Sequence, residues 1–103
     1  MKPKLLLPLF LLGQLLGSKN HVIDQKDKEF SQHAITVKAG ESIEFINSDA
    51  VEHNVYSTTP LLKFDLKQQA PGEKTVIQFP KPGIVEVKCS IHPKMKLMVT
   101  VKP

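Results

Sequence analysis

Apolar and polar residues alternate along most of the chain from His21 onward, a pattern typical of β-strands with one buried face. The stretch 34–47 contains two alternating runs, and the pair Ala39-Gly40 between them is typical of a turn. In the first run Ile35 and Val37 lie on the same side of the strand. This stretch therefore predicts two strands joined by a tight turn.

Three further alternating runs occupy residues 74–79, 84–88 and 97–101. The first two are separated by a Lys-Pro-Gly turn at residues 81–83. Residues 57–72 contain Pro60 and Pro71 and are expected to be mostly loop. No helical periodicity occurs after the first twenty or so residues. Short strands with turn signals about every ten residues predict an all-β fold, a small sandwich or barrel.

Residues 1–18 have a different composition from the rest of the chain. Lys2 and Lys4 precede an apolar run over residues 5–16, and Gly17 and Ser18 follow it. This order is typical of a secretory signal peptide, and the run is shorter than the roughly 20 residues of a membrane-spanning helix. We predict a signal peptide over residues 1–18, with its cleavage position open. The mature chain is then expected to be one exported domain, residues 19–103, without a membrane span.

The charge of the chain gives no support to nucleic-acid binding. The chain has 14 lysines and no arginine against 10 acidic residues, and two of the lysines lie in the predicted signal peptide. Nucleic-acid binding requires a clustered basic face, which this small excess does not indicate. Nothing in the sequence demands an assembly, and a monomer is expected.

Cys89 is the single cysteine, so the domain has no internal disulfide. Small secreted domains are usually stabilised by disulfides or by a metal. The alternating run places Cys89 on the face of Val85 and Val87, toward the core at the rim of the sheet. It can be a small core residue, a nucleophile paired with His92, or a metal ligand. Because nothing resembles an oxyanion loop and little chain remains for a substrate cleft, the nucleophile is the weakest interpretation.

The donor residues around Cys89 favour a metal, and among metals they favour copper. His92 and Met95 follow Cys89 at spacings of three, on a turn between two strands. His53 lies in a short loop between two strand-like stretches, where its ring can turn toward the same rim. Structural zinc sites usually contain two or more thiolates, whereas two imidazoles, one thiolate and a weak axial thioether are typical of copper.

The segments "EHNVYS" and "CSIHPKM" together resemble the cupredoxin family of blue copper proteins, and within it the amicyanins and related methylamine-utilisation and plastocyanin-like proteins. The resemblance covers almost all of the predicted mature chain. "AITVKAGESIEF" is similar to the N-terminal strands of the family, and "FPKPGIVEVKC" to its penultimate hairpin. The resemblance implies a cupredoxin-like Greek-key β-sandwich.

The resemblance also implies which residues form the site. Copper would be bound by four side chains, those of His53, Cys89, His92 and Met95. Asn54 and Ser90, each adjacent to a ligand, would hydrogen-bond across the site and join its two loops, because ligand geometry depends on what holds the ligands.

Leu97 departs from the pattern of the family, and Met98 competes with Met95 for the axial position. The family commonly has glycine two residues beyond the methionine, and this chain has Leu97. Since leucine does not readily adopt positive φ, we expect the chain to leave the loop with a different backbone shape. Met98 is the alternative axial ligand, but the alternation places it on the opposite strand face from Leu97 and Val99, partly exposed. His21 and His33 have no matching partners and are expected at the surface.

Four side-chain ligands leave no open position for a substrate, which predicts an electron carrier and not an enzyme. Copper would cycle between Cu(I) and Cu(II), with His92 as the route from metal to surface. The resemblance implies a periplasmic or otherwise exported protein with transient redox partners, a periplasmic dehydrogenase as donor and a c-type cytochrome as acceptor. Two alternatives stay open: copper delivery, buffering or storage with the same ligands, and a metal-free β-domain that mediates contacts.

Overall fold

The structure, a computed structural model, describes residues 19–103, so the predicted signal peptide lies outside the described residues. Within them the chain forms β-strands and no helix, in agreement with the all-β prediction. The strands are β1 (His21–Lys26), β2 (Glu29–Phe30), β3 (Ala34–Lys38), β4 (Ser42–Asn47), β5 (Val55–Ser57), β6 (Phe64–Asp65), β7 (Lys74–Gln78), β8 (Gly83–Cys89) and β9 (Lys96–Lys102). No helix in residues 19–103 is long and apolar enough to cross a membrane.

The strands form two sheets that pack face to face. One sheet has the order β2-β1-β4-β7 and the other the order β3-β9-β8-β5-β6. The pairs β1–β4 and β3–β9 are parallel, and the remaining pairs are antiparallel. Parallel neighbours cannot be joined by a hairpin, so strands distant in sequence lie side by side. The all-β sandwich predicted from the sequence is confirmed.

The predicted alternation matches the burial of the strands. In β8 the side chains of Val85, Val87 and Cys89 are buried, and those between them are more exposed. In β9 Leu97, Val99 and Val101 are buried in the same way. Residues 57–72 are mostly irregular, as predicted: Ser57 is the last residue of β5, and the two-residue β6 is the other strand in this range. The core between the sheets consists of Ile23, Phe30, Val37, Ile43, Phe45, Val55, Phe79, Val85, Val87, Cys89, Met95, Leu97, Val99 and Val101.

Two turns show why particular residues connect these strands. The predicted Ala39-Gly40 turn joins β3 to β4, and Gly40 has a φ of 94°, a conformation that glycine adopts without strain. Asp27 and Lys28 form the two-residue connection between β1 and β2, with φ values of 53° and 61°. A two-residue hairpin with positive φ at both positions matches the right-handed twist of its strands. The second turn lies near the candidate site.

Candidate metal centre

Three potential ligand atoms converge at one end of the sandwich. Cys89 Sγ lies 3.7 Å from His53 Nδ1 and 3.8 Å from His92 Nδ1. The two imidazole nitrogens are 3.1 Å apart. Among the described residues, this is the group of three or more Cys, His, Asp and Glu side chains that could hold a metal ion. The structure therefore brings together three of the four ligands expected from the sequence.

The size of this triangle fits one transition-metal ion. Bonds of about 2.0–2.1 Å to imidazole and about 2.3 Å to thiolate, as zinc makes, would place three ligands of a trigonal plane about 3.5–3.8 Å apart. The distances to sulfur, 3.7 and 3.8 Å, lie in this range, and the nitrogen pair, at 3.1 Å, is somewhat closer. A trigonal set of two imidazoles and one thiolate is the set that blue copper sites use. The donor set thus fits copper.

Cys89 and His92 are placed by the end of β8 and the turn that follows it. Cys89 is the last residue of β8, paired with Val55 of β5, and its side chain is 1% exposed. The backbone N–H of Met95 donates to the carbonyl oxygen of His92 at 2.9 Å, which closes the turn toward β9. Since β8 and β9 pair in register on either side, the turn has fixed ends. Strand pairing therefore sets the positions of both donors.

His53 comes from a different part of the chain, the loop between β4 and β5. Its side chain is 0% exposed, and its ring is 4.8 Å from that of His92 between centroids. The backbones of His53 and Gln69 exchange two hydrogen bonds, an isolated antiparallel bridge that pairs this loop with the loop before β7. The predicted loop-borne histidine thus does turn inward to the same rim as Cys89.

Asp49 holds the far nitrogen of His53. Its Oδ2 lies 3.0 Å from His53 Nε2, so Nε2–H can donate to it and leave Nδ1 facing the cluster. The backbone N–H of Lys28, at the β1–β2 turn, donates to the same oxygen at 2.8 Å. This hydrogen bond, followed by that from His53, lowers the pKa of Asp49 to about 2. The carboxylate is therefore ionised at neutral pH, and it orients the ring.

Asn54 and Ser90 connect the two ligand-bearing segments. Ser90 Oγ donates to Asn54 Oδ1 at 2.5 Å, and the backbone N–H of Asn54 donates to Cys89 Sγ at 3.3 Å. Asn54 Nδ2 donates in turn to Asp65 Oδ1 and to the carbonyl oxygen of Lys67. A hydrogen-bond donor directed at sulfur favours the thiolate, and the thiolate is the form of cysteine that binds a metal.

The rings of the two histidines differ in their surroundings. His92 is half-buried, and its burial, followed by the nearby His53, holds its pKa below the usual value. A neutral imidazole keeps a lone pair available for a metal. Ile91 and Pro93, on either side of His92, are exposed. His92 therefore lies between the cluster and the solvent.

Met95 and Met98 have opposite surroundings. Met95, at the end of the turn, is 2% exposed and belongs to the hydrophobic core. Met98 is 39% exposed and lies in β9 on the opposite face from Leu97 and Val99, as predicted. Leu97 is fully buried within β9, paired with Val87, and is not among the residues with positive φ. The chain thus leaves the turn directly as regular strand.

The other two histidines lie apart from the cluster. His21 Nε2 is 2.9 Å from Glu41 Oε1 and is partly exposed. His33 has 81% of its side chain exposed and lies 3.8 Å from Glu29. Asp49 and Gln69 were not among the residues expected from the sequence. No local pattern marks either residue, because a spacing of four brings side chains together on a helix, whereas Asp49 and His53 lie in a loop.

Comparisons with known proteins agree with this geometry. Residues 18–102 match the family model described as copper binding proteins, plastocyanin/azurin family. No curated protein sequence matches the chain.

Several solved structures share its fold. A reduced amicyanin mutant, in which tyrosine replaces a tryptophan, is 24% identical, with a TM-score of 0.74 over 79% of this chain and 80% of that one. A purple cupredoxin from Nitrosopumilus maritimus is 21% identical, with a TM-score of 0.72 over 81% of this chain and 100% of that one. A copper-containing nitrite reductase from Thermus scotoductus is 25% identical, with a TM-score of 0.73 over 80% of this chain but only 22% of that one.

Proposed function

The chain belongs to the plastocyanin/azurin family of copper-binding proteins, and from that premise we propose that it is a blue copper electron-transfer protein. Copper, when bound, supplies a one-electron couple between Cu(I) and Cu(II). The protein contributes the ligands and keeps them in position. The observation that carries the proposal is the convergence of one thiolate and two imidazoles from two separate loops onto a single point.

We assign His53, Cys89, His92 and Met95 as the copper ligands. The first three form the trigonal set described above. Met95 closes the same turn from within the core, whereas the exposed Met98 lies on the other face of β9. A buried thioether beside such a set supplies the long axial ligand of blue copper sites. Asn54 and Ser90 join the loops that carry these ligands.

The protein scaffold favours rapid electron exchange because it limits rearrangement. Cys89 is held by β8, His53 by its bridge to Gln69, and Asn54 by three hydrogen bonds besides that from Ser90. Donors that stay in place in both oxidation states lower the energy of reorganisation. His92, half-buried between the cluster and the solvent, provides the shortest path for an electron to reach a partner.

We propose that the chain is a carrier and not an enzyme. Four side-chain ligands leave no open coordination position where a substrate could bind. The match to a copper-containing nitrite reductase is compatible with this, since this chain covers only 22% of that protein. A related domain there is one part of a much larger chain, and this chain would act with separate partners.

The proposed carrier works outside the cytoplasm. The predicted signal peptide supports export, with the periplasm as the expected compartment. Its partners would be transient, with small interfaces suited to rapid release, such as a periplasmic dehydrogenase as donor and a c-type cytochrome as acceptor. The same ligands would serve in copper delivery or storage, but the burial of His53, Cys89 and Met95 favours retention of the metal.

Copper titration of the purified domain tests the proposal. We expect an intense visible band from thiolate-to-copper charge transfer, which bleaches reversibly on reduction. A colourless copper complex, or no copper bound, would contradict it. A competing Cu(I) chelator separates the two functions: slow removal of copper supports electron transfer, and rapid removal supports delivery.

A further inference from the structure

We propose that Gln69 is a positioning residue for His53, fixing the buried imidazole through a set of amide side chains. This set, the amide frame, consists of Gln25, Asn47 and Gln69, which are 0%, 0% and 2% exposed. They come from β1, from the end of β4 and from the loop before β7. The inference rests on the proposed function, in that it assigns these residues a role at the copper site.

The backbone of Gln69 holds the backbone of His53 directly. The N–H of His53 donates to the carbonyl oxygen of Gln69 at 3.1 Å, and the N–H of Gln69 donates to that of His53 at 2.7 Å. This bridge lies beyond the end of the β5–β6 ladder and joins the backbone of His53 directly to that of Gln69. The position of His53 therefore depends on what holds Gln69.

The side chain of Gln69 is held at both ends of its amide. Its Oε1 accepts from Gln25 Nε2 at 2.7 Å. Its Nε2 donates to the carbonyl oxygen of Phe45 at 3.0 Å and to that of Glu73 at 3.3 Å. Gln25 Nε2 also donates to the carbonyl oxygen of Ile46 at 3.2 Å. These bonds attach Gln69 to β1 and to β4 in the interior of the sheet.

Asn47 holds the loop between β4 and His53 from the same side. Its Nδ2 donates to the carbonyl oxygens of Gln69 at 2.8 Å and Val51 at 3.0 Å. Its Oδ1 accepts from the N–H of Asp49 at 2.9 Å. The carbonyl oxygen of Gln69 thus receives hydrogen bonds from both Asn47 and His53, and the loop is attached to the frame at several points.

The composition of the frame favours a positional role over a purely stabilising one. Gln25 Oε1 accepts no hydrogen bond from the described part of the chain, although it is buried. An unsatisfied buried acceptor is unfavourable, and apolar groups of the same shape often replace a buried hydrogen-bonded pair with little loss of stability. Hydrogen bonds, unlike apolar packing, fix direction and distance, which is what a metal ligand requires.

Amide hydrogen exchange of the metal-free domain, compared between Gln69→Met and Val101→Ala, tests this inference. Val101 is a core residue in β9, at the end away from the copper turn, which is the turn between Cys89 and Lys96. Its truncation therefore lowers global stability without touching the amide frame. Each protein is measured equally far below its own thermal midpoint. We expect the His53 N–H to exchange about tenfold faster in Gln69→Met than in Val101→Ala, because Gln69→Met loses the three hydrogen bonds of the Gln69 side chain. Equal His53 exchange in both variants would overturn the inference.

The double variant Gln25→Met with Gln69→Met separates position from stability. We expect its thermal midpoint to recover part of the loss seen in Gln69→Met, because the buried Gln25 amide is no longer left without its partner. The His53 N–H should nevertheless remain as exposed to exchange as in Gln69→Met. Recovery of His53 protection together with the midpoint would show that the frame only stabilises the fold.

The same variants loaded with Cu(II) provide the second readout. In Gln69→Met we expect the charge-transfer band to shift and broaden, whereas Val101→Ala should keep the unmodified spectrum. An unmodified spectrum in Gln69→Met would overturn the inference at the copper site. If the unmodified domain itself gives no such band, the proposed function fails, and the exchange experiment still decides whether Gln69 positions His53.

Discussion

The two histidines of the copper site are held in opposite ways. The loop that carries His53 is attached to the interior by the bridge to Gln69 and by Asp49, and its imidazole is fully buried. The turn that carries His92 is closed by one backbone hydrogen bond from Met95, and the neighbouring Ile91 is exposed. One side of the site is fixed by the core, and the other faces solvent.

This difference assigns a task to each side. A carrier needs a site that changes little between oxidation states, and it also needs a short path to its partner. The His53 loop satisfies the first requirement through buried hydrogen bonds, which are stronger and more directional away from water. The His92 turn satisfies the second because its ring lies between the cluster and the solvent. Substitutions on the two sides should therefore have distinct effects.

The largest effect is expected where the two sides meet, at Cys89. Replacing its sulfur by oxygen in Cys89→Ser removes the thiolate that both imidazoles face. We expect complete loss of the visible charge-transfer band, measured by absorption after copper addition. Val101→Ala, at the end of β9 away from Cys89, serves as control and should keep the band. A blue Cys89→Ser protein would exclude Cys89 as the ligand.

His53→Ala and His92→Ala compare the two sides directly. Removing the buried ring leaves a cavity and takes one hydrogen bond from Asp49, so we expect the free energy of unfolding of the metal-free domain to fall by about 2–4 kcal/mol. His92→Ala at the half-buried turn should reduce it by about 1 kcal/mol or less. Denaturant unfolding measures both. Equal losses would contradict the assignment of a fixed and an open side.

The two alanine variants also differ in whether an external ligand can replace the lost ring. The space left by His92 lies toward solvent, so we expect added imidazole to restore a visible copper band in His92→Ala. The space left by His53 is enclosed, and imidazole should not restore the band in His53→Ala. Rescue of both variants would contradict the difference between the two sides, and rescue of His53→Ala alone would reverse it.

Met95 tests how far the fixed side extends into the turn. In Met95→Leu we expect the blue colour to remain and the reduction potential to rise by roughly 60 mV, equivalent to a tenfold change in a one-electron equilibrium. The rise follows because the axial sulfur stabilises Cu(II) more than an apolar side chain does. Voltammetry measures it, with Met98→Leu as the matched control. A change of the reduction potential in Met98→Leu alone would identify Met98, and not Met95, as the axial ligand.

The smallest effect is expected at the hydrogen bond that connects the two sides. Ser90→Ala removes the donor to Asn54 Oδ1, and because Ser90 is exposed we expect a loss of only about 0.5 kcal/mol in the free energy of unfolding. Asn54 keeps its bonds to Asp65 and Lys67, which should limit the change. Thr58→Ala, at an exposed position in the loop after β5, is the control. A loss no greater than in this control would show that the connection contributes little.

Much of this architecture follows from local pattern, and the rest depends on contacts between distant residues. The alternation in residues 84–88 placed Cys89 on the core side because a strand has only two faces. The loop position of His53 was readable because one strand-like stretch ends before it and another begins after it. The bond between Gln25 and Gln69 was not, since it joins residues 44 positions apart and depends on two buried rotamers. Sequence alternation carries no information on such pairs.

The parallel pairing of β3 with β9 has a consequence for how the site forms. β9 follows the copper turn and lies between β8 and β3, so that Ala34 is the register partner of Met98. Contacts so distant in sequence form late in folding, after the entropy of a long chain segment has been lost. A fragment from β4 onward would therefore carry all four donors in order, yet lack the neighbour against which their last strand aligns. Maturation of the centre should wait for the complete sandwich, and metal acquired earlier would meet only a flexible chelator.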